Sequence, residues 1–373
     1  MAKRIALVSR CAWTLYNFRA GLMRTLQKQG HEVLCAGARG GGFAAKIRAM
    51  GIPFSNMPLD MKGINPVSDI KFFWAMFLWN RKYKPEIVHL FTIKPVIYGS
   101  IAARLAGVPK VISTITGLGY VFTGSGSSVL QTLVEFMYRV AFVFSDYVFF
   151  LNTSDLDFFV SRGIIKPEKA GLLPGEGVDC AHFDSGLYPD PDPNAAPVVL
   201  MVARLLRDKG VYEFVEAARI AKKAGSPANF CLLGGRDERN PTVVNTRDLE
   251  EWIEEGVVTW LGETEDVRTF IASASVVVLP SYREGAPRSL MEASAMTRPV
   301  VATDVVGCRD VVKDGVTGLL VPLKDSPALA EAILYILNNP EQAREMGHQG
   351  RTFILTEYSE QIVIDSILKI YDE

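Results

Sequence analysis

The chain has 373 residues, 49% hydrophobic and 22% charged, which fits two globular domains and excludes a disordered or fibrous protein. Five scattered cysteines without CxxC spacing, and only four histidines, argue against a disulfide scaffold or a dedicated transition-metal site and fit a reducing cytosol. The net charge of -1 hides a division: residues 1–178 carry 21 Lys+Arg against 10 Asp+Glu, an excess of 11, while the remainder carries 19 against 31.

The first apolar run, Ile5–Ser9, is too short for a signal peptide and reads as a β-strand. From there β-type runs alternate with helical patterns. Strands are expected at Ile5–Ser9, Glu32–Ala36, Ile87–Phe91, Val111–Ile115 and Tyr147–Leu151. Helices fall between them, such as Arg19–Lys28 stopped by Gly30 and Val96–Ala106 stopped by Gly107. This alternation predicts a parallel sheet with helices on both faces. Phe72–Trp79 is an unbroken apolar run followed by Arg81, Lys82, Tyr83 and Lys84. It cannot span a bilayer, which needs about 20 residues. Two readings stay open: a crossover helix buried against the sheet, or an aromatic and basic helix lying in a membrane interface. Ser128–Phe144 has a weaker form of the same character and reads as core. The cation excess of this half suggests an anionic partner: an acidic membrane surface, a pyrophosphate-bearing substrate or nucleic acid. The basic residues form no nucleic-acid reader motif, so no nucleic-acid partner is expected.

Asp184–Ala196, proline-rich and without periodicity, reads as a linker. A second strand series follows at Val198–Val202, Phe230–Leu233, Val257–Trp260, Val276–Leu279, Val300–Ala302 and Gly318–Val321, and Pro340–Glu373 is helical by pattern. The expected organisation is α/β: one doubly wound domain over 1–178, a second over 179–358, and a terminal helix over 359–373 that crosses back to the first.

The chemistry concentrates between Ser281 and Ala293. Val276–Leu279 is a buried strand, and Gly285 with Pro287 marks a turn into a helix. Glu284 then stands at the carboxyl end of a strand, where open α/β sheets bind ligands. The amides of Arg288 to Leu290 lie near a helix N-terminus, which favours a phosphate, and Glu292 follows in the first turns. Carboxylate, anion cradle, carboxylate suits a ligand with hydroxyls at both ends and a diphosphate between them, as in a nucleotide-sugar. Arg204 ends the strand Val198–Val202, and Lys209 precedes a helix from Val211. Two cations there can neutralise a leaving diphosphate.

Arg204-x4-Lys209-Gly210, Glu284-x7-Glu292 and Gly175-Glu176-Gly177-Val178-Asp179 resemble a retaining glycosyltransferase of family 4 with the GT-B fold, over nearly the whole chain. Leu233–Pro241, Leu279–Gly285, Tyr16-Asn17-Phe18-Arg19 and Thr116-Gly117-Leu118-Gly119 are similar to the CapM-like and PglA-like branch. Members of that branch add hexoses or N-acetylhexosamines to undecaprenyl-diphosphate-linked sugars at the cytoplasmic membrane face. The resemblance implies two Rossmann-like domains facing a central cleft, a UDP-sugar donor, a polyprenyl-diphosphate-linked acceptor and peripheral attachment to the inner face of the cell membrane. It implies no cofactor and no metal, because fixed cations and helix dipoles take the developing charge. Arg204 and Lys209 would bind the donor diphosphate, Glu284 with Gly285 the sugar, and Glu292 the ribose. Gly234 and the backbone around Leu261 would line the nucleotide, and Ser289 and Leu290 would donate amides. Transfer on one face of the sugar makes Glu284 a positioning residue. Double displacement through a covalent intermediate stays open.

For the acceptor, three loops follow strands of the first half: Arg10–Arg19, His89–Lys94 and Thr116–Thr123. The candidate contacts are Tyr16, Asn17, Arg19, His89, Lys94, Thr116 and Gly117. Arg19 and Lys94 could grip an acceptor diphosphate or be ordinary surface charges, and His89 is read more simply as a satisfied core histidine. Thr116, Thr297 and Ala286 depart from the family pattern, Thr297 where a glycine is usual and Ala286 where an aromatic is common. Two other functions fit the scaffold, a nucleotide-sugar epimerase and a non-catalytic nucleotide-sugar-binding protein.

Overall fold

The computed structural model describes residues 2–60, 65–117, 128–189, 192, 195–238 and 240–373, with backbone alone at 128 and 129. The chain forms two compact units, Met1–Glu176 with Val363–Glu373, and Gly177–Ile362.

In the first unit the strands are β1 (Arg4–Cys11), β2 (Glu32–Ala38), β3 (Phe54–Asn56), β4 (Ile87–Phe91), β5 (Lys110–Ile115), β6 (Tyr147–Phe150) and β7 (Ala170–Leu172). They pair in parallel in the order β3-β2-β1-β4-β5-β6-β7. The helices are α1 (Ala12–Lys28), α2 (Phe43–Ala49), α3 (Pro66–Tyr83), α4 (Ser100–Leu105) after a π-helical turn at Pro95–Gly99, α5 (Ser128–Val143) and α6 (Thr153–Ser161). Alternate strand residues feed two cores. Ile5, Leu7, Val33 and Cys35 meet α1 and α2, while Ala6, Val8, Leu34 and Ala36 meet α3 to α6. Every residue of β4 is buried, as a strand covered on both faces requires.

The second unit holds β8 (Val198–Val202), β9 (Asn229–Leu233), β10 (Thr259–Trp260), β11 (Val276–Leu279), β12 (Val300–Thr303) and β13 (Gly318–Val321), parallel and in the order β10-β9-β8-β11-β12-β13. Its helices are α7 (Val211–Lys223), α8 (Thr246–Glu254), α9 (Arg268–Ser273), α10 (Arg288–Ala295), α11 (Cys308–Val311), α12 (Ser326–Asn338) and α13 (Pro340–Glu357). The last helix, α14 (Glu360–Asp372), passes from one unit to the other: from Val363 onward it belongs to the first, burying Ile364, Ile367 and Tyr371 in the same core as α1.

Two expectations are corrected. The segment Asp184–Ala196 is no boundary, although residues 190, 191, 193 and 194 lie outside the described set. Phe183 is buried in the core of the second unit, Asp184 pairs with Arg351 at 3.2 Å, and Ser185 Oγ accepts from Thr297 Oγ1 at 3.0 Å. Nor is Arg10–Arg19 a loop. β1 runs to Cys11 and α1 begins at Ala12, because no glycine or proline separates them and Thr14 Oγ1 donates to the Cys11 carbonyl at 2.7 Å.

Candidate active site

In the second sheet the strand order reverses between β8 and β11, and ligand sites of open α/β sheets form outside the carboxyl ends of such a pair. Both cationic and carboxylate motifs stand there. After β8 the chain turns through Arg207–Lys209 into α7, with Gly210 at φ 77. A Cβ at Gly210 would stand 2.0 Å from the Pro280 carbonyl oxygen, so only glycine lets this turn lie against the end of β11. The contact brings Lys209 Nζ to 2.5 Å from Glu284 Oε1, and Ser281 Oγ donates to the same oxygen at 2.6 Å. Glu284 and Gly285 rest against Gly307, where a Cβ would meet their carbonyl oxygens at 2.5 and 2.8 Å. The carboxylate is thereby held at the switch point by one cation and one hydroxyl.

Arg204 follows β8, is 55% exposed, and makes a loose pair with Asp237 at 3.4 Å. Gly234 adopts φ 152, and a Cβ there would fall 1.9 Å from the Ala203 carbonyl oxygen. The loops after β8 and β9 therefore touch backbone to backbone, and Gly234 accepts from Trp260 Nε1 at 3.0 Å. Trp260 and Leu261 remain exposed at the rim.

Glu292 is buried in α10 and accepts from Arg288 Nε at 2.6 Å. Burial raises its pKa above the ordinary carboxylate value, and the Arg288 guanidinium opposes that rise. Pro287 opens α10, and the Leu290 amide donates to the Pro287 carbonyl at 3.1 Å, so of the two expected donors Leu290 is already engaged and Ser289 lies one residue nearer the helix start. Ala286 packs against the core of this unit. Thr297 adopts φ 57, the left-handed region that explains the usual glycine.

The first unit treats its candidates differently. His89 is fully buried: Nδ1 pairs with Tyr371 Oη at 2.8 Å, Nε2 with Thr114 Oγ1 at 2.7 Å, and the ring stacks on Phe91 with centroids 4.1 Å apart. Burial first, and then the Arg19 charge, hold its pKa well below the ordinary 6.5. Arg19 is buried too; its guanidinium lies 4.2 Å over the Phe91 ring and pairs with Glu176. Neither side chain reaches a surface: His89 is the satisfied core histidine of the simpler reading and no acceptor contact, and Arg19, offered as an acceptor contact or a surface charge, is corrected to a core residue. Lys94 donates to the buried carboxylate of Asp69 at 2.7 Å, with Tyr98 Oη on the other oxygen at 3.1 Å, which ties α3 to the π turn instead of offering a cation outward. Tyr16 and Asn17 lie on α1: the Tyr16 ring packs on Phe43 at 5.8 Å, and Asn17 Nδ2 caps the Trp13 carbonyl at 3.0 Å. Thr116 and Gly117, half-buried, follow β5; Leu118 to Thr123 lie outside the described residues.

The sequence reading missed three participants. Ser281 fixes Glu284, Arg288 fixes Glu292, and Asp237 meets Arg204. Arg288 had a visible signal, since it stands four residues before Glu292 and shares its helix face.

Two Rossmann-like units, with cations and carboxylates gathered at the switch point of the second, define a glycosyltransferase of the GT-B type. Residues 4–152 match the family described as glycosyl transferase 4-like, and residues 196–339 match glycosyl transferases group 1. The chain is 27% identical, over 99% of its length and 98% of the relative's, to the N,N'-diacetylbacillosaminyl-diphospho-undecaprenol alpha-1,3-N-acetylgalactosaminyltransferase of Campylobacter jejuni. It is 26% identical, over 82% of its length and 81% of the relative's, to the capsular polysaccharide biosynthesis glycosyltransferase CapM of Staphylococcus aureus. The fold matches the crystal structure of Anabaena HepE in complex with UDP and glucose with a TM-score of 0.78, at 16% identity and covering 100% of both chains. The protein belongs to glycosyltransferase family 4, and the CapM and Campylobacter jejuni enzymes are among the relatives it resembles. These relatives are transferases, and the epimerase reading has no support among them.

Proposed function

We propose that this transferase moves a hexose or N-acetylhexosamine from a UDP-sugar to a polyprenyl-diphosphate-linked glycan at the cytoplasmic face of the membrane, with retention and without a metal. The observation that carries the donor half is the Lys209–Glu284–Ser281 cluster at the β8/β11 switch point. Lys209 neutralises Glu284. An arriving diphosphate competes for Lys209, and Arg204, exposed nearby on the loop after β8, adds a second cation. Glu284 is then released to accept hydrogen bonds from donor-sugar hydroxyls while Ser281 keeps its orientation. Glu292, fixed by Arg288, takes the ribose, and the Ser289 amide takes phosphate at the positive end of α10.

Charge developing on the departing diphosphate is met by fixed cations, which is why no metal is required. The incoming hydroxyl attacks from the face the phosphate leaves, and a phosphate oxygen takes its proton. Glu284 is a positioning residue in this scheme, oriented by Ser281 toward the donor-sugar hydroxyls. The acceptor assignment is supported by the Campylobacter jejuni relative, whose name specifies an undecaprenol-diphosphate sugar, and the UDP donor by the likeness to HepE. The basic first half suits a lipid-borne diphosphate.

The test is transfer from radiolabelled UDP-sugars to polyprenyl-diphosphate-linked sugars, with and without EDTA. Label should enter the lipid-linked product at an undiminished rate in EDTA. Loss of transfer on chelation would overturn the metal-free mechanism.

A further inference from the structure

Helix α3 has two apolar faces and only one of them is covered. Phe72, Met76 and Trp79 pack onto the sheet, and Asp69 and Asn80 complete that buried side. The opposite side carries Val67, Ile70, Trp74 and Leu78 at positions i, i+3, i+7 and i+11, one continuous stripe at helical spacing. Trp74 is 54% exposed and Leu78 63%, with Trp74 stacked edge-on between Phe73 and Phe77 at 5.6 Å from each. Among the described residues α3 has no exposed acidic side chain, because its one carboxylate, Asp69, is buried beneath Lys94. Exposed Lys71, Arg81 and Lys82 border the stripe. In the same helical layer, with α4 between, α5 turns Leu133, Phe136 and Val143 to solvent on one face beside Arg139. The expectation that this helix is core is therefore half wrong: Tyr138, Ala141 and Phe142 are buried, and the far side is bare. The run Phe72–Trp79 likewise divides, with Phe72, Met76 and Trp79 inward and Trp74 and Leu78 outward.

We propose that the outward faces of α3 and α5 form the surface by which the protein seats on an anionic phospholipid bilayer. Large exposed apolar patches on soluble proteins mark interaction surfaces. Tryptophan and aliphatic side chains beside lysine and arginine match the layered chemistry of a membrane interface, where rings sit among headgroups and cations meet lipid phosphates. The excess of cations over acids in residues 1–178 supplies the long-range attraction. Other side chains than those of the donor site make this contact, so it stands or falls separately from the sugar-transfer reading.

The test is co-sedimentation of the full chain, without donor or acceptor, on phosphatidylcholine vesicles with and without phosphatidylglycerol. Wild type should bind the anionic vesicles and little of the neutral ones. The double variant Trp74→Ser/Leu78→Ser should bind about a hundredfold more weakly, and Lys71→Gln/Arg81→Gln/Lys82→Gln about tenfold or more. Unchanged thermal unfolding would verify the fold, because all five side chains are exposed. Brominated lipid should quench wild-type fluorescence, and Trp74→Phe should lose most of that quenching while still binding. Equal binding by the double variant, or vesicle binding indifferent to anionic lipid, would overturn the proposal. So would a wild-type dimer that the double variant breaks, since the face would then serve a second copy. Transfer to a short-chain, water-soluble acceptor should survive in the double variant.

Discussion

Glu284 and His89 show how differently two side chains named from sequence can be used. Glu284 stands at a strand end, clasped by Lys209 at 2.5 Å and Ser281 at 2.6 Å. Replacing it with alanine would remove the proposed contact to donor-sugar hydroxyls and free Lys209. Glu284→Ala should lower kcat by about a hundredfold or more, the size of loss expected when a transition-state contact is removed, while UDP affinity measured by calorimetry holds or rises. Loss of UDP binding in parallel would contradict the division of labour between the two residues. His89 is buried and neutral, its pKa held well below 6.5. As pH falls through about 6.5 the unfolded chain takes up a proton that the folded chain refuses, so stability is full above that pH and declines below it, by about 1.4 kcal/mol per unit for this group. In urea unfolding at pH 7 and pH 5, His89→Gln should start less stable but lose correspondingly less on acidification. An unchanged pH dependence would mean that another group carries it. The carboxylate was legible because its setting is declared locally, by a strand, a turn and a helix start within thirteen residues, although Lys209 comes from the loop after β8. The partner of His89 and the burial of Arg19 were not, because Tyr371 and Glu176 arrive from distant parts of the chain and no spacing announces them.

Strands and most helices could be read from periodicity and from stop signals such as Gly30 and Gly107, since a parallel sheet writes its buried strands as apolar runs. Boundaries failed where packing replaced punctuation. α1 starts seven residues before Arg19 because nothing in Ala12–Phe18 breaks a helix, and Asp184–Ala196 looks like a linker although Arg351 and Thr297 hold it to the second unit. α14 tests the same point energetically. Its residues Val363, Ile364, Ile367, Ile370 and Tyr371 are buried in the first unit, far in sequence from the sheet they complete. Ile367→Ala should cost about 2–5 kcal/mol and Tyr371→Phe, which loses one hydrogen bond to His89, about 1 kcal/mol, both read as falls in Tm. If Ile367→Ala melts like wild type, α14 is not part of that core. Gly210→Ala belongs at this scale too. With 2.0 Å available between a Cβ and the Pro280 carbonyl, the turn must move, and UDP binding should fall together with stability. Retained affinity would mean that Lys209 does not depend on that turn.

At the scale of the whole molecule the two halves divide the chemistry that their charges divide. The acidic second half nonetheless gathers its cations, Arg204 and Lys209, where the sheet order reverses, and the basic first half spends Arg19 and Lys94 on its own carboxylates. Among the described residues no helix is long and apolar enough to cross a membrane, and the proposed lipid contact rests on the exposed stripes of α3 and α5. The most direct test of the central claim is mass analysis of the polyprenyl-diphosphate-linked product formed from a UDP-sugar by wild type and by Glu284→Ala. The expected result is an added mass of one sugar on the lipid-linked acceptor with wild type, at least a hundredfold less of it with Glu284→Ala, and no isomerised donor when acceptor is withheld. Full product formation by the variant, or conversion of the donor alone, would contradict the account.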